Sequence, residues 1–412
     1  MRPALFNPLP VVRADLRRNR LLALVTVLLV AVSLATGIAV ISQERALRQG
    51  SARAADDFDL LVGAPGSPTQ LVLTAVYLRQ QALPLLDADI LAQASNAPGA
   101  KYAAPIAFGD NWQGYPIVGT IAVFSSRGGT LTPTEGRLFA RRGEAVVGAA
   151  VKLPVGAILT PQHGLHHDKE DAHHPDPSHA SMHYTVVGRL PARHTIWDRA
   201  ILVPVEDVWA VHGLPDGHAA GPTAHLGPPW DASRLPGVPA IAIKPDSISA
   251  AYRLRAQFRT PRSIALFPAE VLNELYLTLG NVRDLMAVLA LATQVLVVAA
   301  VLMALLVGFL ARARQFAVLR AIGASRGYVF CVVWVEVTVL IAAGAALGLL
   351  LGVAASAGLS AWLTAQTGFA MPVDVGSAEA ALLGGLVLAG GIIAALPAWL
   401  AFRRSIAEGL SA

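Results

Sequence analysis

The sequence predicts a membrane protein: four transmembrane α-helices with a large α+β extracytoplasmic domain inserted between helices 1 and 2. Of its 412 residues, 54% are hydrophobic and only 14% are charged, whereas soluble domains carry about 25% charged residues. Its long apolar runs lie near the N-terminus and in the last third of the chain. Residues 42–281 contain no comparable run, so they form the extracytoplasmic domain.

The first apolar run covers residues 21–41 and follows a basic segment, residues 1–20, in which Asp15 is the one acidic residue. A cleaved signal peptide is the competing interpretation. The run is longer than the 7–15 apolar residues of a typical signal core, and no clean cleavage site follows it. We therefore expect a signal anchor whose N-terminus lies inside, as the positive-inside rule requires.

Three further transmembrane helices are expected at residues 285–311, 328–363 and 378–402. A basic loop, residues 312–327, joins the first two, and a basic tail, residues 403–412, ends the chain. All basic clusters then lie on one side of the membrane. The sequence thus predicts a multi-pass protein of the bacterial inner membrane, with both termini cytoplasmic and the large domain periplasmic.

The basic loop has four arginines and no acidic residue: Arg312, Arg314, Arg320 and Arg326. Four apolar side chains fall near helical spacing within it: Phe316, Val318, Leu319 and Ile322. Gly323 follows them and is typical of a helix end. We expect a short amphipathic helix that lies against the inner membrane surface or a partner protein.

Within the extracytoplasmic domain, short strands and helices alternate, as in an α+β domain. Residues 43–59 are polar and are expected to continue the first helix as a stalk. Strands are expected at residues 59–64, 115–125, 184–188, 200–203, 240–244 and 263–267. Helices are expected at residues 70–81, 87–94, 205–212, 247–258 and 269–279.

Several classes of chemistry are excluded by what the chain lacks. Its four lysines do not follow glycine, so no P-loop exists, and neither GxSxG nor HExxH is present. Cys331 is the single cysteine, which excludes an intramolecular disulfide and a cysteine-based metal site. No basic stripe is interleaved with aromatic residues, so no nucleic-acid partner is expected. The sequence predicts that the chain is not itself an enzyme and has no intrinsic cofactor.

Histidine is concentrated in one tract, residues 162–183, between two expected strands, as in a hairpin insertion. Imidazole and carboxylate groups are good zinc ligands, and such tracts often bind metal. The alternative is a solvated loop whose histidines bind nothing, since the spacing singles out no set of four ligands. The candidate Zn²⁺ ligands are His163, His166, His167, His173, His174, His179 and His183.

Two features lie inside the predicted membrane helices. Glu336 is an intramembrane carboxylate, which is a functional candidate by default. Its position near the cytoplasmic end favours a structural role, paired with Arg320 or Arg326 or facing a neighbouring helix. Gly344, Gly348 and Gly352 form a GxxxGxxxG stripe that allows close helix packing, within the four helices or between two copies.

The arrangement of one helix, a large outer domain and three helices with a basic corner resembles the MacB/FtsX-like permeases of ABC transporters. The motif QFAVLRAIGAS, the following glutamate-containing helix and the terminal PAWLAFRRSIAEGL are similar to that family. Gln315 departs from it, since many relatives carry an acidic residue there. The histidine tract also departs from it.

The resemblance implies a permease subunit that works by mechanotransmission. A separate ABC ATPase, bound in trans, would hydrolyse ATP and move a lipoprotein, peptide or drug-like substrate outside the membrane. It implies a homodimer or a dimer with a related permease, contact with membrane lipid, and a possible periplasmic adaptor. The implied ATPase-coupling residues are Arg312, Arg314, Phe316, Leu319, Arg320, Ile322, Gly323 and Ser325.

Two other functions stay open at this point. One is an FtsX-like regulator that transmits the ATPase cycle to an extracytoplasmic enzyme and carries no cargo. The other is a metal-handling or metal-sensing membrane protein that uses the histidine tract.

Overall fold

The structure is a computed structural model that describes residues 7–79, 81–163, 182–218, 225–278, 312–367, 371–374 and 376–403, with scattered helical positions between 280 and 307. The predicted second transmembrane helix, residues 285–311, lies mostly outside the described residues. So do most of the histidine tract and most of the C-terminal tail. The chain divides into two compact units. The helical unit comprises Met1–Leu47, Gly280–Trp362 and Met371–Ala412, and the α+β unit comprises Arg48–Leu279 and Leu363–Ala370.

Five described helices contribute to the helical unit. Their bounds are α1 Leu9–Arg18, α2 Arg20–Ala55, α9 Ala313–Ala321, α10 Arg326–Thr367 and α11 Ser377–Arg403. Helix α2 is unbroken over 36 residues, so it contributes residues to both units. The expected stalk is therefore confirmed as far as Ala55, whereas the short helix α1 was not anticipated.

Two described helices are long and apolar enough to cross a membrane, Arg20–Ala55 and Arg326–Ala365, and Glu379–Ile392 is a shorter apolar helix. The described positions between 280 and 307 are all helical. Buried side chains of α2, α9, α10 and α11 pack together in one cluster that includes Val30, Phe316, Val333 and Ala394.

The α+β unit is built on a mixed sheet whose described strands are eleven in number. Their order is β11-β1-β10-β2-β3-β9-β5-β8-β4, with β6 paired to β8 and β7 paired to β2. The strands are β1 Leu60–Gly63, β2 Ala100–Trp112, β3 Tyr115–Thr120, β4 Glu135–Gly136, β5 Glu144–Val147, β6 Ile158–Leu159, β7 Gln162–His163, β8 Tyr184–Arg189, β9 Ile201–Pro204, β10 Ala240–Pro245 and β11 Ile264–Leu266.

Helices cover both faces of this sheet. They are α3 Pro68–Ala75, α4 Ala88–Ser95, α5 Ala122–Ser125, α6 Val205–Val211, α7 Ile248–Phe258 and α8, residues 268–278, with a 3₁₀ turn at Ile196–Arg199. Successive strand residues belong to opposite core clusters: Ile201 and Val203 lie in one, and Leu202 lies in the other. Because both faces are buried, the inner strands read as continuous apolar runs.

One expected strand is shorter than predicted, and two strands were not predicted. The strand expected at residues 115–125 ends at Thr120, and Ala122–Ser125 is helical. Strand β2, near the middle of the sheet, was not predicted, because its alanine-rich sequence with Pro105 and Gly109 has low β propensity. It is a strand because it pairs with both β10 and β3. Strand β5, Glu144–Val147, was also missed.

Candidate functional site

The basic corner folds as a short helix followed by a glycine turn. Helix α9 ends at Ala321, and the amide of Ile322 still donates to the carbonyl of Val318. Gly323 then takes a φ of +110°, a conformation that favours glycine and stops the helix. The side chain of Ser325 accepts a hydrogen bond from the amide of Tyr328 at 3.1 Å, which caps the start of α10. The expected short helix that ends at a glycine is confirmed.

Two of the predicted coupling residues attach this corner helix to its neighbours. Phe316 is buried in the cluster that also contains Val30 of α2 and Val329, Val333 and Val337 of α10. Arg312, at the start of α9, forms ion pairs with Asp15 of α1 and with Glu336 of α10. Its Nη1 lies 2.8 Å from Oε1 of Glu336. The corner helix is thus held by an apolar contact and an ionic contact at once.

The other predicted coupling residues lie towards the outside. Arg314, Gly323 and Ser325 are exposed, and Leu319 and Arg320 are half-buried. Ile322 is 78% exposed and the neighbouring Val318 is 48% exposed. A large exposed aliphatic side chain at a glycine turn, bordered by arginines, is the composition expected of a contact surface. We call residues Arg314, Val318, Ile322, Gly323 and Ser325 the corner surface.

Glu336 has the structural role that its position suggested, and its ion-pair partner is Arg312. The pair joins residues 24 positions apart, and both side chains are nearly buried, with 11% of Arg312 and 6% of Glu336 exposed. Removing Arg312 would leave the buried Glu336 carboxylate uncompensated. The carboxylate therefore belongs to the attachment of the corner helix.

The glycine stripe of α10 lies against α2 of the same chain. A Cβ atom on Gly344 would approach Cβ of Val30 to 2.6 Å, and one on Gly348 would approach the carbonyl oxygen of Ala31 to 2.8 Å. Gly352 is equally close to Ile38, at 2.9 Å. The absence of side chains at these three positions lets the two helices approach closely.

A second ionic contact, which sequence reasoning missed, lies near the other end of the helical unit. Arg45 of α2 donates to Glu379 of α11, with 2.8 Å between Nη2 and Oε2, and the Glu379 side chain is fully buried. Ser42 donates to the same carboxylate at 3.0 Å, and the amide of Gly376 donates at 2.9 Å. The signal was Glu379 itself, a carboxylate at the start of an otherwise apolar helix. We call this group the outer clamp.

Helix α2 is long enough for its two ends to lie on opposite sides of a bilayer. Arg20 and Arg45 are 25 positions apart on α2, which corresponds to roughly 37 Å of helix. The apolar core of a bilayer is about 30 Å thick. The group Asp15, Arg312 and Glu336 includes a residue just before the start of α2, and the outer clamp includes Arg45 towards its other end, so we take the two groups as the polar boundaries of the helical unit.

Asp57 and Phe58, just beyond the end of α2, contact a buried arginine within the α+β unit. The guanidinium carbon of Arg127 lies 4.3 Å from the ring centroid of Phe124, 5.3 Å from that of Phe58 and 5.4 Å from that of Trp197. Asp57, two residues beyond α2, pairs with it at 3.4 Å. Burial lowers the pKa of Arg127, and Asp57 opposes this shift. Cation–π contacts of this kind strengthen when they are desolvated, to about 2 kcal/mol.

The histidine tract begins and ends at paired strands. Leu159 of β6 pairs with Tyr184 of β8, which confirms a hairpin insertion. Oγ1 of Thr160 and Nδ1 of His183 lie 2.9 Å apart, and His163 is in β7, paired with β2. The other five candidate ligands, His166, His167, His173, His174 and His179, lie outside the described residues. Among the described residues, no group of three or more potential ligands is placed to hold a metal ion.

Comparison with known proteins assigns the C-terminal part of the chain. Residues 287–406 match the family model described as the FtsX-like permease C-terminal domain. The match includes the corner helix, the glycine stripe and Glu379 of the outer clamp. No curated protein matches the chain.

Proposed function

Because the chain belongs to the MacB/FtsX-like family of ABC transporter permeases, we propose that it is a permease subunit that works by mechanotransmission. In this proposal an ABC ATPase binds in trans at the corner surface on the cytoplasmic side. ATP-driven movement of that surface is carried by α2 to the α+β unit outside the membrane. Four transmembrane helices, with both termini cytoplasmic, provide the required orientation.

The observation that carries the proposal is the attachment of the corner helix to α2. Phe316 belongs to the buried cluster that contains Val30 of α2, and in this proposal a displacement of α9 is passed to α2 through that cluster. The Arg312 contacts add α1 and α10 to the same group. Packed interiors transmit displacement because they deform little. A docking surface with no such attachment would transmit no displacement.

The unbroken helix α2 supports the next step of the proposal, the transmission of movement to the α+β unit. The helix runs from Arg20 to Ala55 without interruption, and Phe58 and Asp57 beyond it contact Arg127 in the α+β unit. A helix transmits axial displacement over its length, whereas a flexible linker does not. We propose that α2 couples ATP hydrolysis to movement of a lipoprotein, peptide or drug-like substrate, in a homodimer or a dimer with a related permease.

The docking step is tested by one substitution with a matched control. Ile322→Asp places a charge on the corner surface, and Ile248→Asp makes the same change at a side chain of the α+β unit that is equally exposed, 78% against 80%. The tagged full-length chain is purified from its native membrane, and the P-loop ATPase that accompanies it is identified and assayed. Ile322→Asp is expected to lose the ATPase at unchanged chain yield, and Ile248→Asp to retain it.

Equal recovery of the ATPase with both variants would show that the corner surface is not its docking site. Two further substitutions repeat the docking test. Arg320→Glu reverses a charge of the corner helix, and a bulky residue at Gly323 changes the glycine turn that follows it.

A further inference from the structure

A groove runs beside helix α1 in the helical unit. Its volume is about 700 Å³, and it is open along one side. Val12 and Leu16 of α1 and Val339 of α10 form an apolar floor. Arg13 and Arg17, four residues apart on one face of α1, also line it, and so does Arg20 at the start of α2. The groove thus combines apolar surface with three positive charges.

The three arginines have no partner within the described part of the chain. No hydrogen bond or ion pair joins Arg13, Arg17 or Arg20 to another described residue, and all three are exposed. The nearby carboxylate of α1, Asp15, is paired with Arg312 and accepts a hydrogen bond from Asn19 at 2.7 Å. The charge of the groove is therefore not neutralised by the acidic residue closest to it in sequence.

The groove lies at the polar boundary of the helical unit. Glu336 of α10 belongs to the ionic group around Arg312, and Val339 is three residues further along the same helix. Three residues correspond to about 4.5 Å of helix. Asp15, between Arg13 and Arg17 on α1, pairs with Arg312 of the same group, so these arginines lie near the polar boundary, and Val339 extends the floor towards the apolar span. A phospholipid has a matching arrangement, in which an anionic headgroup is followed by apolar acyl chains.

We propose that this groove binds an anionic phospholipid of the inner leaflet, with its phosphate on Arg13, Arg17 and Arg20 and its acyl chains on Val12, Leu16 and Val339. The proposal rests on the membrane orientation given under the proposed function and does not depend on the ATPase. A zwitterionic lipid would offer the arginines no net charge. Near a membrane surface, one arginine is worth about a fivefold change in affinity for anionic lipid.

The test is native mass spectrometry of the full-length chain in detergent, with equimolar phosphatidylglycerol and phosphatidylcholine of identical acyl chains. The wild-type chain is expected to retain phosphatidylglycerol preferentially. Arg17→Gln should lower that preference about fivefold. Arg18→Gln, an adjacent exposed arginine outside the groove, should leave it unchanged.

A second variant tests the floor without changing charge. Val339→Trp fills the groove with a side chain that membrane interfaces accept readily, and it should reduce retention of both lipids. Equal retention of the two lipids by the wild type, equal effects of Arg17→Gln and Arg18→Gln, or no effect of Val339→Trp would each overturn the proposal. So would a photo-crosslinker at Leu9 that captures a second copy of the chain or another protein in place of lipid. None of these outcomes bears on ATPase docking at Ile322, so the two proposals fail separately.

Discussion

The guanidinium of Arg312 lies 2.8 Å from the carboxylate of Glu336, and it also pairs with Asp15. This relationship joins the start of the corner helix to α10 and α1 through one side chain. Arginine suits the position because its planar guanidinium can donate to two carboxylates at once. The predicted coupling residue is therefore an attachment point, while Ile322 and its exposed neighbours form the corner surface.

Substitutions of this pair should be strongly non-additive. Arg312→Gln leaves the buried Glu336 carboxylate without its cation, and such changes cost about 3 kcal/mol or more. The double variant Arg312→Gln/Glu336→Gln should lose less than the sum of the single losses, by 1 kcal/mol or more. The measurement is the midpoint of thermal unfolding of the full-length chain in detergent. Additive losses would show that the two side chains do not interact.

The glycine stripe allows a comparison within one helix. Gly348→Ala places a Cβ atom 2.8 Å from the carbonyl oxygen of Ala31, whereas Gly358 has nothing within 4 Å. Gly348→Ala should lower the unfolding midpoint, because overpacking costs about 1–3 kcal/mol. Gly358→Ala should raise it slightly, through the roughly 0.5–1 kcal/mol gain in helix propensity. If both variants behaved alike, α2 and α10 would not be in close contact.

Asp207 should make stability depend on pH between about 4 and 6. Burial raises its pKa from 3.8 to about 6, against a hydrogen bond from the amide of Gly143. The folded chain therefore holds this proton more tightly than the unfolded chain. The stability that comes from keeping Asp207 protonated is fully present below pH 3.8 and is lost as the pH rises through about 6.

Asp207→Asn stays neutral and should therefore stabilise the chain at pH 7, by about 2–3 kcal/mol, with little effect below pH 4. Glu144→Gln serves as a control of opposite sign. Its hydrogen bond with Arg137 lowers the pKa of Glu144 to about 2. The stability that the ionised Glu144 contributes is therefore present at pH values above the ordinary pKa of a glutamate, and it is lost as the pH falls towards 2. Thermal unfolding of both full-length variants across pH 3–8 checks the two directions. A pH-independent effect of Asp207→Asn would contradict the prediction.

Zinc binding by the histidine tract stays a prediction. A full-length chain should bind Zn²⁺ saturably and stoichiometrically, and deletion of residues 162–183 should abolish that binding. Loss of affinity below about pH 6.5 is expected, because the imidazole ligands must be neutral. Isothermal titration of the two chains in detergent makes the comparison. Weak binding that survives the deletion would identify the tract as a solvated loop.

The corner helix and the stalk were predictable because their signals are local. Helical spacing from Phe316 to Ile322 and the glycine after it specify a short helix and its end. The outer clamp was not predictable, because Arg45 and Glu379 are 334 residues apart, and a carboxylate at the start of an apolar helix does not indicate which cation it meets. Strand β2 was not predicted for a related reason: its pairing with β10 and β3, and not its own alanine-rich sequence, makes it a strand. The Arg127 contacts likewise depend on residues from three separate segments.

The central claim is that α2 carries ATPase-driven movement to the α+β unit, and a break in that helix tests it most directly. Three glycines inserted after Leu47 interrupt α2 and leave the corner surface intact. The same insertion after Gly156, an exposed turn, is the control.

Hydrogen–deuterium exchange in peptides covering Phe58 and Arg127 is measured on the complex with its ATPase, with and without ATP and vanadate. We predict that adding nucleotide alters the exchange of these peptides in the wild type and in the Gly156 control. In the chain whose α2 is interrupted, nucleotide should leave their exchange unchanged, although the ATPase still binds. An unchanged wild type, or an identical response in the interrupted chain, would contradict the account.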